Sequence, residues 1–227
     1  MCSVTCLNFA IRNLARADVA GRRVLEVGCR DVNGSVRPLV ATLEPAEYVG
    51  VDIEGGPGVD VICSMEELEA KFGRESFDVV ITTEVLEHVR PWRAAVSNLK
   101  AVCRPSGTIL LTTRSLGFAY HAFPHDYWRY ELGDMRALFA DCHILSLESD
   151  PTDPGVFIKV RKPATFKEAE LGNYELYSIV LNRRAVDVSD RNLTPLSLLR
   201  VRTREKLRLA AEAVGRRLGG RGAPRPE

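Results

Sequence analysis

Arg23-Val-Leu-Glu-Val-Gly-Cys-Arg-Asp-Val-Asn-Gly-Ser35 decides the fold. A short β-rich apolar run ends at Gly28, and a turn then leads into a stretch of helical periodicity. A glycine-rich turn that cradles a pyrophosphate carries three closely spaced glycines, because the phosphates need close backbone approach at several points. Here Arg30 and Val32 stand where two of those glycines would be, and the next flexible pair is Asn33-Gly34. Arg30, Asp31 and Val32 crowd a dinucleotide.

Outward from this turn, apolar strand-like runs alternate with helical patterns from about residue 22 to residue 160. That alternation is the signature of a parallel sheet with helices on both faces. Strands are predicted at Val24–Gly28, Tyr48–Ile53, Val59–Cys63, Phe77–Thr83 and Thr108–Thr113, with His143–Glu148 and Val156–Val160 as a closing pair. Their near-continuous Val/Ile content suits burial on both faces. Val36–Leu43, Met65–Phe72, Trp92–Cys103 and Glu131–Phe139 read as crossover helices. Pro91 fits a helix start, where its missing N–H costs nothing. The expected fold is α/β: a Rossmann-like, doubly wound, seven-stranded, mostly parallel sheet with an antiparallel closing strand.

Three segments follow from the patterning. Residues 1–21 form an N-terminal helix over the core, with Leu7, Ile11 and Leu14 at helical spacing. Residues 22–162 form the core itself. Residues 163–227 form an extension whose Leu199–Leu218 stretch places Leu207, Ala210, Ala211, Val214 and Leu218 on one helical face and arginines on the other. The Gly/Pro-rich end from Gly219 is expected to be disordered, since it can bury almost nothing.

Composition bounds the function. The chain has 227 residues, 45% hydrophobic and 27% charged, with a net charge of +1, ordinary values for a globular protein. That balance argues against a generally basic nucleic-acid binder, although residues 200–227 alone carry +6. No apolar run approaches the ~20 residues of a membrane span, and the N-terminus lacks the pattern of a secretory signal, so a cytoplasmic location is expected. The six cysteines are dispersed, without a Cys-x-x-Cys or histidines at metal-ligand spacing. No metal site is expected, and the thiols read as reduced and mostly structural.

The first chemical signal pairs Gly28 with Asp52, each at the end of its strand. A carboxylate emerging at a neighbouring strand tip accepts both ribose hydroxyls in a bidentate hydrogen bond; an exposed turn aspartate is the plainer alternative. A cofactor with adenosine but no phosphate tolerates the crowded turn, and S-adenosylmethionine is such a molecule. Its methionine end asks for N–H donors and a nearby carboxylate. Glu26 and the loop amides of Cys29–Gly34 meet that need.

Four ordered motifs then resemble the class I S-adenosylmethionine-dependent methyltransferases, in their small-molecule branch: Val24-Leu-Glu-Val-Gly28, Tyr48-Val-Gly-Val-Asp52, Phe77-Asp-Val-Val-Ile-Thr-Thr-Glu-Val-Leu-Glu-His-Val89 and Leu99-Lys-Ala-Val-Cys-Arg-Pro-Ser-Gly-Thr-Ile-Leu-Leu-Thr-Thr113. The third is the most specific, and the match spans roughly residues 22–160. The resemblance implies that Glu26, Gly28, Arg30 and Asn33 flank the methionine portion and that Asp52 holds the ribose. It further implies that Ile53 packs on adenine, with Ser64 or Met65 reading its edge, and that Glu84 lies near the methionine end. His88 would face the substrate as a positional candidate for the base, with a helix-start histidine bonded to backbone as the equal alternative.

A second cluster, Tyr120-His-Ala-Phe-Pro-His-Asp-Tyr-Trp-Arg-Tyr-Glu131, precedes a helix and would overhang the strand ends. His125 and Asp126 are candidates for a base and its orienting partner, while Tyr127, Trp128 and Arg129 would position the acceptor. Packing of the rings onto the core is the alternative. Histidine has a suitable pKa to take an acceptor's proton. Three classes stay open: a methyltransferase acting on an O or N atom of a small molecule, which is favoured; an RNA or protein methyltransferase using the basic tail; and a non-catalytic or nicotinamide-dependent relative.

Overall fold

The computed structural model describes residues 3–32, 34–122 and 125–219, with side chains through 214. Expectations placed on Cys2, Asn33, Phe123 and the chain end from 220 lie outside the described residues, as does the side chain of Leu218. In chain order the elements are α1 (Val4–Asn13), α2 (Arg16–Val19), β1 (Arg23–Val27), α3 (Arg37–Ala41), β2 (Glu47–Asp52), β3 (Val61–Ile62), α4 (Leu68–Phe72) and β4 (Phe77–Thr83). There follow α5 (Trp92–Val102), β5 (Cys103–Arg114), β6 (Trp128–Arg129), α6 (Leu132–Leu138), β7 (His143–Ser149), β8 (Gly155–Arg161), β9 (Leu176–Ser178), β10 (Arg183–Ala185) and α7 (Pro195–Gly219).

Seven strands form one sheet in the order β3-β2-β1-β4-β5-β8-β7. The first five run parallel, and β8 lies antiparallel between β5 and β7. The fold class is the one the alternating pattern predicts. Period-two alternation along each strand divides the apolar residues between two cores. Leu25, Val27, Val80, Ile109, Leu111 and Ile158 meet α4, α5 and α6 on one face. Val24, Val79, Ile81, Leu110 and Phe157 meet α1, α2 and α3 on the other.

Several details depart from the sequence pattern. The face that α1 buries is Cys6, Phe9, Ala10 and the following Leu14, while Ile11 is exposed. The Phe9 ring packs 5.2 Å from that of Phe157, and this sets the rotation of the helix. Met65–Phe72 divides into a 3₁₀ turn at Met65–Glu67 and the short α4. In α7 the expected apolar stripe is open to solvent at Leu207 and Val214, and Val201 is the apolar residue buried instead. Past Pro163, β9 pairs with β10 and with β6 in a second, three-stranded sheet. Backbone hydrogen bonds thereby stitch the extension to the loop before α6.

The strand order reverses between β1 and β4. At that point neighbouring strands connect to opposite sides, and a crevice opens beyond their carboxyl ends.

Candidate active site

A cavity of about 640 Å³ occupies this crevice. Its floor comes from strand ends: Val27 and Gly28 after β1, Asp52 and Ile53 at β2, Cys63 to Glu66 after β3, and Glu84 and Val85 after β4. Its outer wall comes from His88 to Pro91, His125 and Tyr127, with Asp190 and Leu193 from the C-terminal segment.

Gly28 sits at φ +80°, and a Cβ there would lie 2.1 Å from Val85 Cγ2. Only glycine lets the β1 turn and the β4 tip approach this closely. Glu84 adopts the left-handed region at φ +57°, uncommon for a residue with a side chain and a mark of a constrained site. The turn carries Glu84 out of the strand direction, and its carboxylate is buried.

Asp52 Oδ2 accepts the Arg30 amide at 3.2 Å, and Oδ1 accepts the Glu54 amide at 3.2 Å. Each oxygen has a second lone pair to offer. The Arg30 side chain pairs with Glu54 at the rim. Ile53 is 56% exposed, an apolar surface presented to the cavity, and the buried Met65 adds another. The Ser64 hydroxyl donates to Glu67 at 2.7 Å.

Glu84 pairs with Arg114 and receives the Cys6 thiol at 3.4 Å from α1. Burial first, and the nearby Glu87 carboxylate second, push its carboxyl up to about 7 against the opposing pull of Arg114. Arg114 is steadied by the Phe118 ring, 4.0 Å from its guanidinium carbon, and by Asp150 at 3.6 Å. Sequence reasoning missed Cys6, Arg114 and Thr113. Cys6 stands on α1 while Thr113 and Arg114 end β5, and no local pattern points from one segment to the other.

Glu26, expected beside the methionine end, turns away from the cavity. It is 2% exposed and accepts the hydroxyl of Tyr48; burial, more than that bond opposes it, raises its pKa. The reason is register: Glu26 and Gly50 stand side by side on β1 and β2, and alternation sends the Glu26 side chain to the α3 face.

His88 ends a 3₁₀ turn, Leu86–His88. Its Nδ1 is 2.5 Å from the His125 carbonyl, which fixes the imidazole between the two histidine-bearing segments. His125 and Tyr127 both line the cavity, with ring centroids 5.6 Å apart. Burial raises the Tyr127 phenol.

Asp126, Trp128 and Arg129, by contrast, lie behind this wall. Arg129 is 1% exposed and grips Asp126 through both terminal nitrogens, at 2.5 and 2.7 Å. Against the cost of burial, this grip and the His121 contact hold the Asp126 carboxyl down at about 2. The orienting partner of Asp126 is thus His121, whose Nδ1 lies 3.1 Å away, rather than His125. Trp128 is fully buried and donates its indole N–H to the Arg90 carbonyl at 3.1 Å. Three residues read as substrate-side chemistry therefore shape the loop that carries His125 and Tyr127.

A family model described as a methyltransferase domain matches residues 6–149. Among curated relatives, the phthiotriol/phenolphthiotriol dimycocerosates methyltransferase of Mycobacterium tuberculosis is 31% identical over 112 residues, 44% of this chain and 41% of its own. The ubiquinone biosynthesis O-methyltransferase of Parvibaculum lavamentivorans is 35% identical over 80 residues, 35% of this chain and 31% of its own. The chain thus spans less than half the length of either of these curated relatives. Among solved structures, the 1,6-didemethyltoxoflavin-N1-methyltransferase of Burkholderia thailandensis, with bound 1,6-didemethyltoxoflavin and S-adenosylhomocysteine, superposes with a TM-score of 0.53. It is 16% identical, and the superposition covers 63% of this chain and 72% of that one. A methyltransferase of Haloferax volcanii in complex with the Trm112 activator gives a TM-score of 0.58 at 15% identity, covering 72% and 91%.

Proposed function

The chain belongs to the class I S-adenosylmethionine-dependent methyltransferases, and from that membership we propose that it transfers a methyl group to an oxygen or nitrogen atom of a small-molecule acceptor. The observation that carries the reading is one cavity lined by two unlike sets of residues. Asp52, Ile53 and Met65 come from the strand ends, and His88, His125 and Tyr127 from the segments after β4 and before β6.

The residues fit the cofactor. Asp52, with two amides already fixing its plane, offers one lone pair from each oxygen to a ribose diol. Ile53 and Met65 present apolar surface to a purine. Gly28, Arg30 and Glu84 border the place for the amino-acid end, where Glu84 would meet an ammonium group. When bound, the cofactor supplies an electrophilic methyl carbon on a sulfonium.

Displacement at that carbon needs alignment above all. Effective molarities of ~10⁵ M or more are available from orientation alone. The His88–Tyr127 wall would hold the acceptor's lone pair in line with the methyl carbon. The acceptor's proton would pass to an imidazole nitrogen of His125, which borders the cavity, because His88 turns Nδ1 to the His125 carbonyl and Nε2 to Glu87. Arg90, paired with Asp190, closes the rim.

Calorimetry on the purified chain with S-adenosylmethionine, S-adenosylhomocysteine and NAD tests the cofactor assignment. Binding of the first two without NAD is expected, and binding of NAD alone would overturn it. A screen of hydroxylated and aminated metabolites, read by mass for the gain of one methyl group, tests the acceptor class.

A further inference from the structure

Glu87 is the least solvated charged group beside the cavity. Its side chain is fully buried, Oε2 accepts the Thr113 hydroxyl at 2.7 Å, and Oε1 has no hydrogen-bond partner among the described residues. An uncompensated carboxylate in such surroundings is costly, so buried ones are paired or coordinate a cation. Two imidazole nitrogens face that oxygen: His88 Nε2 at 3.9 Å and His121 Nε2 at 3.8 Å. Candidate ligand atoms of the three residues all lie within 4.8 Å of one another.

The second ring nitrogens are each already committed. His88 Nδ1 meets the His125 carbonyl, and His121 Nδ1 meets Asp126, which Arg129 clamps and which also accepts the His121 amide at 2.9 Å. With both Nδ1 atoms donating, both Nε2 atoms are aimed towards Glu87, and a metal ion would take the place of any proton they carry. Metal-binding histidines are held in this way, by a carbonyl or carboxylate on the far nitrogen. The rings pack edge to face with centroids 4.7 Å apart.

We propose that Glu87, His88 and His121 form a binding site for a divalent transition-metal ion of the zinc class. Two neutral imidazoles and one carboxylate are a borderline-soft donor set that favours such ions over calcium or magnesium. Bonds of about 2.0–2.2 Å to one ion require the histidine–carboxylate separations of 3.9 and 3.8 Å to shorten to roughly 3.4 Å, a small side-chain rotation. Three protein ligands leave a coordination position open, as catalytic sites do. Because His88 also forms part of the cavity wall, an oxygen-bearing acceptor or a water is the ligand to fill it.

The site goes beyond the methyltransferase reading and is tested without cofactor or acceptor. The 227-residue chain, stripped with a chelator, is titrated with Co²⁺, followed by visible absorption and by the metal retained after desalting. One Co²⁺ per chain is expected, with the intense bands of low coordination number and no thiolate charge-transfer band. His121→Ala, whose side chain is partly exposed, should weaken binding at least 100-fold. Asp126→Asn should weaken it 10- to 100-fold by removing the carboxylate that His121 Nδ1 donates to. Thermal melting confirms that each variant is folded. No stoichiometric uptake by the wild-type chain, or uptake that survives His121→Ala, would overturn the site and leave the cofactor assignment untouched.

Discussion

Glu84 concentrates the site's electrostatics in one side chain. Its carboxyl, raised from 4.5 to about 7, binds a proton in the folded state that the unfolded chain has already released between those values. Stability should therefore fall as pH rises through that window, by up to about 1.4 kcal/mol per pH unit. Glu84→Gln should flatten this slope in denaturant titrations at pH 5 and 7; an unchanged slope would remove Glu84 as its source. An ammonium group bound there favours the ionised carboxylate, so cofactor affinity should drop as pH falls below about 7, and calorimetry at pH 6 and 8 reads the difference. Asp52→Ala should weaken S-adenosylhomocysteine binding 10- to 100-fold, the worth of about 1.5–3 kcal/mol for hydrogen bonds to a charged group, with an unaltered melting temperature. Affinity that stays the same would sink the ribose assignment.

At the scale of elements, the loop between β5 and α6 is fastened from behind. Arg129 holds Asp126, Asp126 holds His121, and Trp128 hydrogen-bonds Arg90. The depressed Asp126 carboxyl lends stability above its unfolded pKa of 3.8 that is lost as pH falls through about 2. Arg129→Met leaves that buried carboxylate without its main partner, a loss of about 3–5 kcal/mol. Chemical denaturation at pH 7 should register it, and a change below 1 kcal/mol would mean that the clamp contributes little. The motif was visible in the sequence, but its division of labour was not. His125 and Tyr127 alternate along the chain with the buried Asp126 and Trp128, and no spacing rule states which way the cavity lies.

For the whole molecule, the C-terminal extension is two things. Residues 176–185 complete a sheet with β6, and Val201 and Glu205 are buried. From Leu209 to Val214, every described residue of α7 is exposed. Ending the chain at residue 208 should leave the melting temperature unchanged and spare turnover on a small acceptor. Loss of activity on RNA alone after that truncation would instead favour the basic tail as a phosphate tether. No helix among the described residues is long and apolar enough to cross a membrane.

What the sequence determined by itself is what periodicity and strand-end chemistry encode. The turn at Gly28, the strand-tip Asp52 and the Glu84–His88 run follow one another in register with strands buried on both faces, so fold, cofactor class and most of the cavity floor were legible. Glu26 was misplaced because the face a strand residue takes depends on its partner's register. His121, 33 positions from His88, and Cys6, 78 from Glu84, meet their partners only when β4, β5 and α1 pack together. Long-range pairing of this kind leaves no local pattern. The rebuilt turn announced the cofactor, and tertiary packing alone decided which carboxylates and imidazoles line the cavity.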